Sequence, residues 1–287
     1  MTEVPDPNAE TIPETPSRPL NSGNVVLSFV GDLVARSSHN RRQTLALMAR
    51  RRLWRPATYP HLDWLAWLCY TVALVAIVAM VIDIPVGSFG RRWPGWLVDL
   101  CETATKVGLS GWYLFPAAFI CVIVNLLNWS KLRGRRLLTL YNWTNLGIFV
   151  LLSVGIPGLI ATFFKHFIGR ARPYYFAETG AFAFEPFAGS SAFASMPSGH
   201  STTVGSLAAI LVLLVPSSRY VVIPLALALA MTRVVLNSHY PSDVVAGLAL
   251  GSACTIIVAL VFARLGYIFT AHDTRLPTRR KSFSVFW

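Results

Sequence analysis

Apolar residues in this chain gather into long runs separated by short basic or Gly/Pro-containing connections. Runs of 18 or more apolar residues match the length that crosses a bilayer. The pattern predicts six spans, roughly Trp64–Ile82, Gly111–Asn128, Asn142–Phe164, Ser201–Val215, Tyr220–Leu236 and Val244–Phe262. The fourth is short. Gly147, Gly155, Pro157 and Gly158 in the third predict a kink or a close helix contact. The expected fold is an all-α integral membrane protein, a six-transmembrane-helix bundle over 61–270, flanked by tails at 1–60 and 271–287.

The flanks read differently. Residues 1–23 hold five prolines and four acids with little that packs, so they are expected to be disordered. From Asn24 to Arg55 the chain turns basic, with apolar residues between the arginines. That pattern fits one or two helices lying on the bilayer surface, and equally a solvated arm. No early apolar core marks a cleavable signal peptide. Cations then set the orientation. Lys131, Arg133, Arg135 and Arg136 lie between spans two and three, Arg219 between four and five, and Arg275, Arg279, Arg280 and Lys281 follow span six. By the positive-inside rule both termini are cytoplasmic. In a bacterium the opposite face, and any chemistry on it, belongs to the periplasmic side of the inner membrane.

Composition supports this reading. Of 287 residues 54% are hydrophobic and 13% charged, against about a quarter charged in an average soluble domain. Lys and Arg outnumber acids 25 to 13, but they cluster beside apolar runs, as orientation signals and anionic-lipid contacts do, which argues against nucleic acid as a partner. Cys69, Cys121 and Cys254 fall within spans as packing residues and Cys101 in a connecting loop, so no disulfide is expected. No Cys/His spacing suggests a metal, and no cofactor is implied.

Three polar clusters interrupt the apolar pattern, all on the face opposite the termini. The first carries Lys165 and Arg172 before Pro173. Seven residues make two helical turns, so a continuing helix would set both cations on one face. The second, Pro197-Ser198-Gly199-His200, opens an apolar helix. There Ser198 suits the N-cap, the free N–H groups suit an anion, and Gly199 lets backbone approach an oxyanion. The third runs from Arg233 through His239 to Asp243, with Pro241 suited to the first helical position. Asp243 in that first turn could reach His239 and fix its tautomer. Each cluster also has a plain structural reading: a snorkelling basic helix end, a capped helix with an incidental histidine, a cap-and-turn. For those to suffice, all three must hold at once on one membrane face.

In this order, Lys-x6-Arg-Pro, Pro-Ser-Gly-His and Arg-x5-His-x3-Asp resemble the three-part signature of the type 2 phosphatidic acid phosphatase superfamily, which is shared with vanadium haloperoxidases. The resemblance covers the last two-thirds of the chain. Thr232 departs from the serine usual before the arginine and keeps the hydroxyl. The resemblance implies a phosphohistidine on His239, oriented by Asp243, with His200 as general acid. It further implies that Lys165, Arg172, Arg233, Ser198 and the Gly199 N–H hold the phosphoryl oxygens, without a metal. The implied substrate is a membrane lipid phosphate monoester or diphosphate, entering from the bilayer. A lipid phosphotransferase using the same site, or a non-enzymatic lipid transporter or scaffold, are the alternatives. His166 and Arg170 fall off the signature positions and read as loop or interface groups, and the aromatic-rich 174–196 segment as a lid or an ordered packed loop.

Overall fold

The computed structural model describes residues 22–52, 63–90, 92–129, 132, 134–271, 276–280 and 283. The Pro-rich 1–21 segment lies outside these. The basic arm is one helix, α1 (Ser22–Arg52). It is pinned where Asn40, buried, donates from Nδ2 to the carbonyls of Asn125 and Leu127 at 2.6 and 2.7 Å. Those are carbonyls at a helix C-terminus, the groups that lack intrahelical partners.

Among the described residues five helical stretches are long and apolar enough to cross a membrane. The first is α2 (Trp64–Phe89), capped by Asp63 and widened by a π turn over Ala79–Asp83. The second, Gly95–Leu126, is broken into α3 (Gly95–Ala104) and α4 (Gly111–Leu126) by a 3-10 turn at Thr105–Gly108. Cys101, expected in a loop, is buried within α3. The others are α5 (Arg135–Ile168), Pro216–Val235 with α7 (Arg219–Val235), and α8 (Pro241–Leu265). Between α5 and α7 lies α6 (Gly199–Leu214), apolar but only 16 residues long. Outward-facing Leu65, Leu68, Val72 and Ile77 of α2 show the lipid-facing character expected of such helices.

Small residues bring the central helices together. On α8, a Cβ at Gly251 would lie 2.0 Å from the Thr202 carbonyl of α6, and one at Gly247 2.5 Å from the Ser198 carbonyl. Gly205 of α6 meets the Leu248 backbone in the same way. Backbones approach closely where side chains are absent, and this pair forms the axis of the bundle. Gly147 of α5 fits against Cys121 of α4, so the expected close contact occurs there, while α5 runs unbroken through Pro157.

At the end of the bundle away from the start of α8, Phe149, Phe262, Ile268, Phe269 and Phe283 form a buried cluster. Phe269–Thr270 (β1) pairs antiparallel with Thr278–Arg279 (β2), Phe269 opposite Arg279. Part of the 271–287 segment, expected as a basic tail, therefore folds back, because Phe269 and Phe283 bury their rings in this cluster.

Candidate active site

The first cluster is built by a helix stop. Gly169 ends α5 in the left-handed region (φ 59°, ψ 41°), its N–H reaching the Lys165 carbonyl. Any side chain there would lie 1.9 Å from the Glu185 carbonyl, so glycine is required twice over. The helix does not continue to Arg172, which is extended, and no shared helical face brings it to Lys165. The returning 174–196 segment is stitched onto this turn instead: Ala171 N–H to Ala183, Arg172 N–H to Ala192, and Ser195 N–H to the Arg170 carbonyl. That is the ordered-loop reading, with Phe182, Phe184 and Phe187 left exposed.

Ser198 caps α6. Its backbone is extended (ψ 117°), and its Oγ accepts from the Ser201 N–H at 3.4 Å and from the Ser201 hydroxyl at 3.0 Å. The side chain is fully buried in that role, and beside it a Cβ at Gly199 would lie 3.4 Å from Lys165 Nζ. His200 packs against Gly108 in the turn between α3 and α4. Thr105 of the same turn accepts from Arg233 Nη1 at 3.2 Å.

The third cluster follows α7. Asn237 takes a left-handed φ of 52°, and the N–H groups of Ser238 and His239 fold back onto the Arg233 carbonyl. His239 is buried, with Nδ1 2.8 Å from the Ser195 carbonyl. A carbonyl can only accept, so the proton sits on Nδ1 and the lone pair on Nε2. Asp243 Oδ2 is 3.9 Å from Nδ1, beyond hydrogen-bond range. It accepts from Ser195 Oγ at 2.6 Å and from the Tyr240 N–H at 2.9 Å. Asp243 thus braces the residues on either side of the imidazole, and the direct contact expected between the two is replaced by the Ser195 backbone.

Lys165, Arg172 and Arg233 all lie within electrostatic reach of both His200 and His239. Among the described residues none of the three has an ion-paired carboxylate. Arg172 donates from Nε to the Ser191 carbonyl, and Arg233 Nε is buried with no partner. Burial, and then the three cations, push the His239 imidazole well below its ordinary pKa, so it is neutral. Three cations, a buried unpartnered N–H and a free imidazole lone pair suit an oxyanion of high charge.

Comparison with known proteins agrees with that chemistry. The profile of the PAP2 superfamily matches residues 146–267, which include all three clusters. A lipid A 1-phosphatase of Rhizobium johnstonii is 37% identical over 228 residues, spanning 78% of this chain and 91% of that protein. One from Rhizobium etli is 39% identical over 232 residues, spanning 78% and 96%. The chain belongs to the PAP2 superfamily. A crystal structure of a transmembrane PAP2-type phosphatidylglycerolphosphate phosphatase from Bacillus subtilis aligns with 68% of this chain and 92% of its own, at 22% identity and a TM-score of 0.46.

Beyond the PAP2 signature the structure adds a residue that the sequence reading set aside. Arg170 is no interface group. It is 2% exposed and donates from Nη2 to Asp83 (2.8 Å) and from Nη1 to Asp243 and Ser242 (both 2.7 Å). The Ala181 carbonyl takes Nε and Nη2, and the Tyr240 ring lies 4.2 Å from the guanidinium carbon. Asp83, in the π turn of α2, also binds the Ser242 N–H and hydroxyl. It was overlooked because it falls one residue past the first predicted span. Its signal was available: a lone carboxylate within a 26-residue apolar helix. Thr105 and Gly108 carry no such signal, since only packing gives them a role. His166, by contrast, is exposed.

Two outcomes are expected. Arg170→Met leaves two buried carboxylates uncompensated and should lower unfolding stability by about 3–5 kcal/mol. Thermal unfolding in detergent measures this, with partial recovery in the Arg170→Met/Asp83→Asn double variant. Burial and then the cations around His239 penalise its charged form, so the neutral ring should persist as pH falls past 6.5. An NMR titration of ring-labelled histidine, assigned with His239→Asn, should place its midpoint clearly below 6.5.

Proposed function

We propose that this chain hydrolyses a lipid phosphate monoester or diphosphate without a metal, through a phosphohistidine on His239. The 1-phosphate of lipid A is the first substrate to test. The phosphatase activity itself rests on membership of the PAP2 superfamily and on relatives named for it over most of their length. The observation that carries the mechanism is the 2.8 Å contact from His239 Nδ1 to the Ser195 carbonyl, which leaves Nε2 free beside three cations without carboxylate partners.

In the first step the Nε2 lone pair attacks phosphorus and the bond from phosphorus to the lipid oxygen breaks. The bound phosphate dianion offsets the three cations around His200, so His200 carries a proton in the complex and gives it to that leaving oxygen. Lys165, Arg172 and Arg233, with the Gly199 N–H, neutralise charge on the equatorial oxygens; positioning and charge are most of what phosphoryl transfer requires. Ser198 contributes by capping α6 and aiming its first N–H groups. In the second step water attacks the phosphorus, neutral His200 takes the water proton, the P–N bond breaks to return the lone pair to His239 Nε2, and inorganic phosphate leaves. Asp243 acts through Ser195 and Tyr240, holding the frame in which His239 keeps its tautomer. Protein cations supply the positive charge, since both buried carboxylates of the site are bound to Arg170.

The same reading puts six helices across the membrane, α6 included, with the site at the periplasmic face and the termini in the cytoplasm. The basic connections at the other end of the bundle support it.

Purified protein should release inorganic phosphate from lipid A in the presence of chelator. His239→Ala should abolish release, and His200→Ala should reduce it by about 10²–10⁴-fold. Loss of activity on chelation would remove the metal-free mechanism, and a newly phosphorylated lipid without free phosphate would make the protein a transferase.

A further inference from the structure

An apolar cleft of about 320 Å³ opens directly beside the site, between α6 and α7. Three of its walls continue from site residues. Val204 follows His200 by one helical turn, Leu229 precedes Arg233 by one turn, and Val107 adjoins Gly108, against which His200 packs. Its far end is marked by Leu211 and Val222, eleven residues from His200 and Arg233 respectively. At 1.5 Å per residue either path is about 16 Å, close to half of a hydrocarbon core of about 30 Å. The cleft therefore runs about one leaflet deep. Leu211 and Leu225 are half exposed on its rim, so it opens sideways toward lipid.

The reaction decides which side of the site the lipid must occupy. Attacking and leaving atoms lie roughly in line through phosphorus. With His239 as nucleophile, the leaving oxygen is on the far side, next to His200, and the rest of the substrate hangs from that oxygen. Its hydrocarbon starts at the mouth of the α6–α7 cleft. A second apolar groove, of about 390 Å³, lies between α2 and α8 with Met196 at its edge. Met196 follows Ser195, whose carbonyl holds His239, so this groove adjoins the nucleophile and is wrongly placed for the leaving group.

We propose that the α6–α7 cleft holds an acyl chain of the lipid phosphate and gives the enzyme its preference for long-chain substrates. This rests on the reaction proposed above. Filling the cleft should penalise substrates that use it and spare those that do not.

The test compares lipid A with its chemically deacylated core, measuring kcat/KM in wild type, Ala226→Phe and Ala249→Phe. Ala226 lines the α6–α7 cleft and Ala249 the α2–α8 groove. Ala226→Phe should lower kcat/KM for lipid A at least about tenfold, the loss of about 1.4 kcal/mol of binding. Its activity on the deacylated core should stay within about twofold, which also shows that the variant is folded; Ala226→Leu should fall between. Ala249→Phe should leave the ratio between the two substrates unchanged. Equal losses on both substrates, no loss on lipid A, or the same selective loss in Ala249→Phe would overturn the assignment. Wild type that hydrolyses neither substrate would remove the phosphatase reading along with it.

Discussion

A single buried guanidinium holds this site together. Arg170 joins three segments far apart in sequence: the π turn of α2 through Asp83, the chain leaving α5 through its own backbone, and the start of α8 through Ser242 and Asp243. Taking three charges out of water is costly, and the geometry answers this with two carboxylates, a hydroxyl, a carbonyl and an aromatic face around one planar fork. From Asp243 the order passes to Ser195 and Tyr240, and from the Ser195 carbonyl to His239. The tautomer of His239 is thus fixed two contacts away from the ion pair that anchors it.

The same ion pair shapes the electrostatics. Asp83 and Asp243 are bound to Arg170, so neither ion-pairs with the remaining cations. Among the described residues Lys165, Arg172 and Arg233 have no carboxylate partner and repel one another, a repulsion that a phosphate dianion would relieve on the proposed mechanism. Binding energy of this kind grows where charge accumulates on the phosphoryl oxygens, which is what catalysis asks of it. The close α6–α8 packing through Gly247 and Gly251 complements it by keeping the cap at Ser198 next to the Asp243 turn, joined by Ser198 N–H to the Asp243 carbonyl at 3.0 Å.

Much of this was legible in the sequence, for local reasons. Long apolar runs announce spans, and Gly199, Pro241 and Asp243 announce helix starts through rules that act over a few residues. Lys165, His200, Arg233 and His239 stood out because polar groups at the ends of apolar runs are expensive to keep. What the sequence hid was long-range or subtle. Arg170 lies two residues from Arg172 and looks like its companion, yet the left-handed stop at Gly169 sends one inward and leaves the other within electrostatic reach of His200 and His239. Asp83 pairs across 87 residues, Thr105 touches Arg233 across 128, and Gly108 matters only as the surface beneath His200. No local rule predicts such pairs. The folded-back C-terminal ribbon was missed because Phe283, which anchors its return, is a lone ring just after the basic stretch Arg279-Arg280-Lys281.

The proposed mechanism requires that one particular nitrogen receive the phosphoryl group. Rapid acid-free quenching of the enzyme during turnover, followed by peptide mapping and phosphorus NMR of the adduct, reads this directly. The expected result is one phosphohistidine, on Nε2 of His239, absent from His239→Ala. A phosphoryl group on Nδ1, on another residue, or on no residue despite steady turnover would contradict it.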